Sequence, residues 1–370
     1  MTTNGFDHFI GTREVSGTHA FDVAALTAWM EKNIEGFRGP VTVEMFKGGQ
    51  SNPTYKLVTP SRSYVMRSKP GPVAKLLPSA HAIEREFAVM RGLAGTDVPV
   101  PVMYGLCDDE SVIGRAFYIM EFMQGRVLWD QSLPGLSNAE RAAHYDEMNR
   151  VIAALHTVKF AERGLASYGK PGNYFDRQIG RWSKQYKAST DGAGPASQPI
   201  PEMEKLLEWL PAHIPLAARD ESKVSIVHGD FRLDNLMFHA TEPRVIAVLD
   251  WELSTLGHPL ADFAYHCMAW HIPHGPGSRG IGGLDLASLG IPSEDEYMRR
   301  YCERTGFATV AELKADWNFY MAYNLFRIAA ILQGIAKRAE MGTASSAQAA
   351  ASGAGAKPMA VLAWGFAQRA

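Results

Sequence analysis

The chemistry this sequence can perform is concentrated in two short runs. In Ile226-Val-His228-Gly-Asp230-Phe-Arg232-Leu-Asp-Asn235-Leu, an acid, a base and an amide alternate with apolar residues. An apolar stretch over residues 245–249 then delivers Asp250-Trp-Glu252. Asp230 is a carboxylate suited to orienting a hydroxyl nucleophile and taking its proton. Asn235 and Asp250 offer hard oxygen donors of the kind Mg2+ prefers, with Glu252 as an outer helper. Arg232 brings a permanent positive charge that can neutralise a transferring phosphoryl group. Such a set suits phosphoryl transfer, where catalysis is mostly positioning and charge neutralisation.

The spacing resembles the protein-kinase catalytic loop, His-Arg-Asp-Leu-Lys-x-x-Asn, with Arg232 in the place of the lysine. The resemblance implies that Asp230 is the catalytic base or orienter and that Asn235 and Asp250 hold magnesium. It gives His228 the role of bracing the loop. Asp262, in Gly257-His-Pro-Leu-Ala-Asp262-Phe, is expected to cap a helix and support that loop through hydrogen bonds.

These residues need strands that end at a cleft. Residues 1–20 read as a loose leader. Residues 21–37 carry helical spacing in Leu26, Trp29, Met30 and Ile34, and Gly39-Pro40 ends it. Strand patterns follow over 41–46, 54–58 and 63–67, the first two joined through Gly48-Gly49-Gln50-Ser51-Asn52. Residues 79–93 read as a helix with Ile83, Phe87 and Met90 inward, and strands over 98–106 and 116–122 close the sheet. After Gly125 the pattern is mainly helical. Ser137 and Glu140 form a capping-box signal for a helix running to about residue 156. Further helices are expected over 174–188, 202–213, 261–270, 293–305 and 310–340. Residues 189–201 form a polar loop, and 342–356 are an Ala/Gly/Ser tract before a last short helix.

The expected fold class is therefore α+β: a bilobal, protein-kinase-like arrangement. A small antiparallel sheet lobe with one main helix precedes a larger, mainly helical lobe. The expected division is a leader and helix over 1–40, a nucleotide-binding lobe over 41–124 and a catalytic and acceptor-binding lobe over 125–370. ATP belongs between the lobes. Ser51 and Asn52, with backbone N–H groups of the Gly-Gly loop, would cover its phosphates. Arg67 takes the place of the kinase strand lysine, and Glu86 is its expected partner, with Glu84 as the fallback. Met120-Glu121-Phe-Met123 resembles a kinase hinge, with the backbone of Glu121 and Met123 meeting adenine and Met120 behind it.

Composition bounds the rest. A chain of 370 residues with net charge −2 is not a dedicated nucleic-acid binder. Its three cysteines, Cys107, Cys267 and Cys302, form no CxxC pair and suit a reducing compartment. No apolar run approaches a membrane span and no secretion signal is visible, so a cytoplasmic protein is expected. His258, His266, His271 and His274 fit no standard zinc spacing and are read as packing or surface residues.

Over nearly the whole chain from about residue 40, these motifs resemble the aminoglycoside phosphotransferase and choline kinase superfamily. The stretches 49–55, 76–86, 228–235 and 244–260 are similar to the kinase-like domain at the front of acyl-CoA dehydrogenase family members ten and eleven and to its stand-alone bacterial relatives. That branch is implied to use ATP and Mg2+ to phosphorylate 4-hydroxyacyl-CoA thioesters, with a separate acyl-CoA dehydrogenase-like enzyme as pathway partner. The alternatives are an aminoglycoside, choline-like or sugar acceptor, or a catalytically silent nucleotide-binding regulator. Intact Asp230, Asn235 and Asp250 argue against the silent form.

Overall fold

The structure, a computed structural model, describes residues 11–47, 52–71, 82–192, 194–343 and 349–370. Its small lobe is built on β1 (Thr12–Glu14), β2 (Thr42–Phe46), β3 (Thr54–Val58), β4 (Ser63–Ser68), β5 (Met103–Cys107) and β6 (Phe117–Glu121). All neighbours are antiparallel, in the order β1-β2-β3-β4-β6-β5. Helices α1 (Val23–Asn33) and α2 (Ile83–Leu93) cover its two faces. The two-residue period of β6 makes this visible. Phe117 and Ile119 enter one core with Leu26 and Met30 of α1, whereas Tyr118 enters the other with Phe87 and Met90 of α2.

Two expectations change here. The leader contains an edge strand, since residues 12–14 pair with 44–46 of β2. Helix α1 is not an appendage to the small lobe but part of its core: Trp29 meets Phe117 edge-on at 4.9 Å between ring centroids. A third difference has a local cause. The strand expected from residue 98 starts only at Met103, because Pro99 and Pro101 lack the N–H groups that a ladder requires.

The large lobe contains β7 (Arg126–Val127), α3 (Asn138–Thr157), α4 (Tyr174–Thr190) and α5 (Pro201–Ala212). It continues through β8 (Ser225–Val227), β9 (Leu236–Phe238), β10 (Val245–Val248), β11 (Thr255–Gly257) and α6 (Pro259–Cys267). The rest is helical: α7 (Leu286–Leu289), α8 (Glu294–Thr305), α9 (Val310–Ala315), α10 (Trp317–Glu340), α11 (Ala349–Gly353) and α12 (Ala356–Ala367). The Ser137–Glu140 capping box forms as the sequence implies. The expected single helix over 310–340 is two, divided at Asp316 (φ −106°, ψ 3°). A second capping box, Thr309 with Glu312, starts the short one, and Leu313 and Trp317 are buried on either side of the break. The polar loop at 189–201 is held by α10, where Glu340 accepts from Ala196 N at 3.1 Å and Lys337 donates to Ser197. Helix α10 packs against α4, α6, α11 and α12 and is the central post of this lobe.

The lobes join at Gly125. A Cβ there would lie 2.4 Å from the Phe238 carbonyl, so only glycine lets the connection pass over β9.

Candidate active site

The short β8–β9 connection presents the catalytic-loop residues. The backbone N–H groups of His228 and Gly229 donate to the buried Asp262 carboxylate at 2.7 and 2.8 Å. Gly229 has φ +82°, and a Cβ on it would sit 2.8 Å from the Leu253 carbonyl, which makes glycine obligatory. His228 braces the loop from within: its Nε2 meets the Leu249 carbonyl at 2.8 Å and its Nδ1 accepts from Asp230 N at 3.2 Å. Asp262 supports the loop as expected, but it does not cap α6. The cap is the His258 side chain, which accepts from Leu260 N. Burial opposes the charge on Asp262, yet its hydrogen bonds with His156 and the His228 N–H hold its carboxyl below the usual range.

Asp230 is surrounded by donors. Asn235 Nδ2 reaches Asp230 Oδ2 at 3.0 Å and its carbonyl at 2.8 Å. Arg232 Nε lies 3.0 Å from Asp230 Oδ1, and the Tyr265 hydroxyl donates to that same oxygen. The Arg327 guanidinium donates to the Gly229 carbonyl and lies 4.9 Å from the Tyr265 ring centroid. Burial opposes the charge on Arg232, but Asp230 and Asp234 hold its pKa above the ordinary arginine value.

Leu249 N donates to the Asn235 carbonyl at 2.8 Å, which places Asp250 beside Asn235. Asp250 has φ +63°, an uncommon conformation for a non-glycine residue, at the point where the chain turns off β10. Because the Asn235 amide nitrogen is committed to Asp230, its oxygen is the atom left to face a ligand. That oxygen and the partly exposed Asp250 carboxylate, whose Oδ1 is ion-paired with Arg67, are hard oxygen atoms of the type that Mg2+ prefers.

The small lobe reaches this site through Arg67 at the end of β4. Its Nε lies 2.9 Å from Glu86 Oε2, and its Nη2 lies 2.8 Å from Asp250 Oδ1 and 3.7 Å from Glu252. Glu86 thus pairs with Arg67, while Glu84 pairs with Lys69 at 2.7 Å. Glu86 is 1% exposed and also accepts from Asn52 at 2.9 Å and Tyr118 at 3.1 Å. Burial pushes its pKa upward, against the pull of Arg67 and these two donors. Asn52 is fully buried, so its amide faces Glu86 rather than an open cleft. Ser51 lies outside the described residues, as do 48–50 of the Gly-Gly loop and 79–81 of the helix expected over 79–93, whose described part is α2. At the hinge, Met120, Glu121 and Met123 are each partly buried at the lobe junction. Glu121 N is committed to the Val102 carbonyl at 2.8 Å, so it is not available to a base.

The four histidines have separate partners. His258 caps α6, His266 meets the Tyr297 hydroxyl at 2.7 Å, His271 meets Glu294 at 2.7 Å and His274 meets the Gly280 carbonyl at 3.1 Å. Tyr265, Arg327, Tyr118 and His156 are parts of the site that motif spacing did not reveal. Tyr265 had one usable signal, its position one helical turn beyond Asp262. Arg327 lies 98 residues from its partner Gly229 and had none.

Residues 42–304 match the model of the phosphotransferase enzyme family. The chain belongs to that family. It is thus a member of a phosphotransferase family, kinase-like in fold. Acyl-CoA dehydrogenase family member 10 of Mus musculus is 46% identical over 371 residues. That match covers 99% of this chain but 33% of the mouse protein, so the chain spans about a third of this curated relative. A crystal structure from Ralstonia eutropha, described as a candidate aminoglycoside phosphotransferase, is 62% identical with a TM-score of 0.83. The match covers 95% of this chain and 99% of that one. Choline kinase from Cryptosporidium parvum shares the fold at 13% identity and a TM-score of 0.62, covering 94% and 95% of the two chains. No helix among the described residues is long and apolar enough to cross a membrane.

Proposed function

We propose that this phosphotransferase moves the γ-phosphoryl group of ATP, with Mg2+, to the hydroxyl of a 4-hydroxyacyl-CoA thioester or a related hydroxy acid. The observation that carries the reaction is the set of hydrogen bonds around Asp230. Its carboxylate has about four lone-pair sites. Tyr265 hydrogen-bonds to Oδ1, which also lies in ion-pair reach of Arg232, and Asn235 uses one side of Oδ2, so a direction on Oδ2 remains for a substrate hydroxyl. A hydroxyl bound there donates its proton to Asp230 as its oxygen bonds to the γ-phosphorus. The bond from that phosphorus to the bridging oxygen of ADP breaks.

Arg67 would hold the α- and β-phosphates, steadied by Glu86, with Asn52 and Tyr118 orienting Glu86. The hinge backbone at Glu121 and Met123, backed by Met120, would take adenine, and Ser51 would help cover the phosphates. Asn235 and Asp250 would hold Mg2+, which neutralises phosphate oxygens when bound. Arg232 would face the transferring group. The acceptor assignment rests on the likeness to acyl-CoA dehydrogenase family member 10, of which the match covers 33%. A dehydrogenase-like enzyme would then act next in the same pathway. The Ralstonia structure favours a second reading, with an aminoglycoside as acceptor.

The test is product mass after incubation with Mg-ATP and 4-hydroxypentanoyl-CoA, with kanamycin alongside. A phosphorylated thioester from the wild type but not from Asp230→Ala supports the proposal. Phosphorylated kanamycin with an untouched thioester replaces it with the second reading. Turnover retained in Asp230→Ala removes Asp230 from its role.

A further inference from the structure

The carboxylate next to the catalytic loop's own base is already occupied by this chain. Asp234 lies between Asp230 and Asn235 in sequence and is nearly buried. Two guanidiniums meet on its Oδ2: Arg279 at 3.1 Å and Arg232 at 3.5 Å. Arg232 simultaneously reaches Asp230. Arg279 is therefore linked to Asp230, the group proposed to bind the acceptor hydroxyl, through Asp234 and Arg232. Its side chain remains 38% exposed, so donors are left over after Asp234 is satisfied.

Arg279 is held in place by a loop that is tightly bonded to itself. Ser278 donates to the Pro273 carbonyl at 2.6 Å and accepts from Gly280 N at 3.1 Å. Ile281 N donates to the Ala269 carbonyl at 2.7 Å, and Gly282 N to the Ile272 carbonyl at 2.9 Å. A Cβ at Gly280 would fall 1.9 Å from the Ile272 carbonyl, so the residue after Arg279 has to be glycine for the loop to close. Loop residues that serve only solubility do not need this degree of fixation. The bonding fixes the backbone from which Arg279 extends.

We infer that Arg279 is a specificity-determining residue that binds a carbonyl or carboxylate oxygen of the acceptor, close to the reacting hydroxyl. The inference rests on the proposed hydroxy-acid reading. A bare Asp234 would attract a cationic acceptor to this face of the catalytic loop. With Arg232 shared between Asp230 and Asp234, the two guanidiniums balance the two carboxylates, and the exposed N–H donors of Arg279 favour an oxygen acceptor over an ammonium group.

The experiment compares three alcohols that differ only at the far end: 4-hydroxypentanoate, 4-hydroxypentanamide and 5-aminopentan-2-ol. Steady-state kinetics with Mg-ATP give kcat and KM for the wild type, Arg279→Ala and Arg279→Lys. For the wild type, KM should rise from the carboxylate through the amide to the amine. In Arg279→Ala the KM for the carboxylate should rise about tenfold or more, as expected for losing a charge-assisted hydrogen bond. Its kcat should change far less, and the amine should gain as Asp234 is uncovered. Arg279→Lys should recover part of the carboxylate preference. The same KM order and spacing in Arg279→Ala as in the wild type would overturn the role of Arg279 while leaving the hydroxy-acid reading intact. If the wild type turns over only the amine, both fall together. If it turns over none of the three while phosphorylating 4-hydroxypentanoyl-CoA equally well in the wild type and in Arg279→Ala, this role is rejected and the thioester reading stands.

Discussion

Glu86→Ala and Glu84→Ala remove carboxylates from the same turn of α2 and should have very different consequences. Glu86 is 1% exposed, accepts from Asn52 and Tyr118 and is ion-paired with Arg67. Truncating it removes the acceptor of two buried donors and the ion partner of a buried guanidinium. Breaking a buried pair of this kind costs roughly 3–5 kcal/mol. Arg67 keeps Asp250 at 2.8 Å, which moderates the loss of charge balance, so the lower end, about 3 kcal/mol, is expected. Glu84 is 48% exposed and, among the described residues, pairs with Lys69, so its removal should cost between 0 and about 1 kcal/mol. Urea unfolding followed by circular dichroism gives both values, with an unchanged m-value confirming that the comparison is of stability alone. Binding of a fluorescent ATP analogue should weaken in Glu86→Ala and hold in Glu84→Ala, because only Glu86 steadies Arg67. Equal destabilisation by the two substitutions, or a Glu86→Ala cost below about 1 kcal/mol, would refute the reasoning.

Further expectations concern the loop around Asp230 and the buried histidines. Tyr265→Phe deletes one donor to Asp230 and should lower kcat about tenfold or more with little change in KM for ATP, read by steady-state kinetics. Gly229→Ala combines a positive φ with a Cβ 2.8 Å from the Leu253 carbonyl, so it should destabilise by at least about 1 kcal/mol and abolish turnover; near-normal activity would contradict the described turn. Burial pushes His258 and His266 down to about 4. The folded state then keeps both neutral while the unfolded chain takes up protons near 6.5, so stability should fall as pH drops from 6.5 toward 4. Each could cost about 3 kcal/mol by pH 4. Urea midpoints at pH 7.5 and 5.0 check this, and His266→Gln should flatten the dependence; identical midpoints at the two pH values would count against it.

The sequence by itself determined the parts of this protein whose chemistry is local. The interval from His228 through Asp230 to Asn235 is set by a single loop, and the strand before Asp250 shows in its apolar run. The Ser137–Glu140 cap is legible because its partners lie within one helical turn. Where local signals competed, the reading was less accurate. Residues 12–14 have no pattern of their own and become a strand only because β2 offers an edge. The helix at 310–340 kept its periodicity across Asp316, so the break shows only in the backbone angles. Tertiary structure alone decided the choice of Glu86 over Glu84, which depends on which side of α2 faces β4 and β6. It also brought Tyr265, Arg279 and Arg327 to the catalytic loop from positions 35 to 98 residues away from their partners. A side chain's type can be read from its letter, but which charge it meets across such a distance is set by how the helices and loops pack.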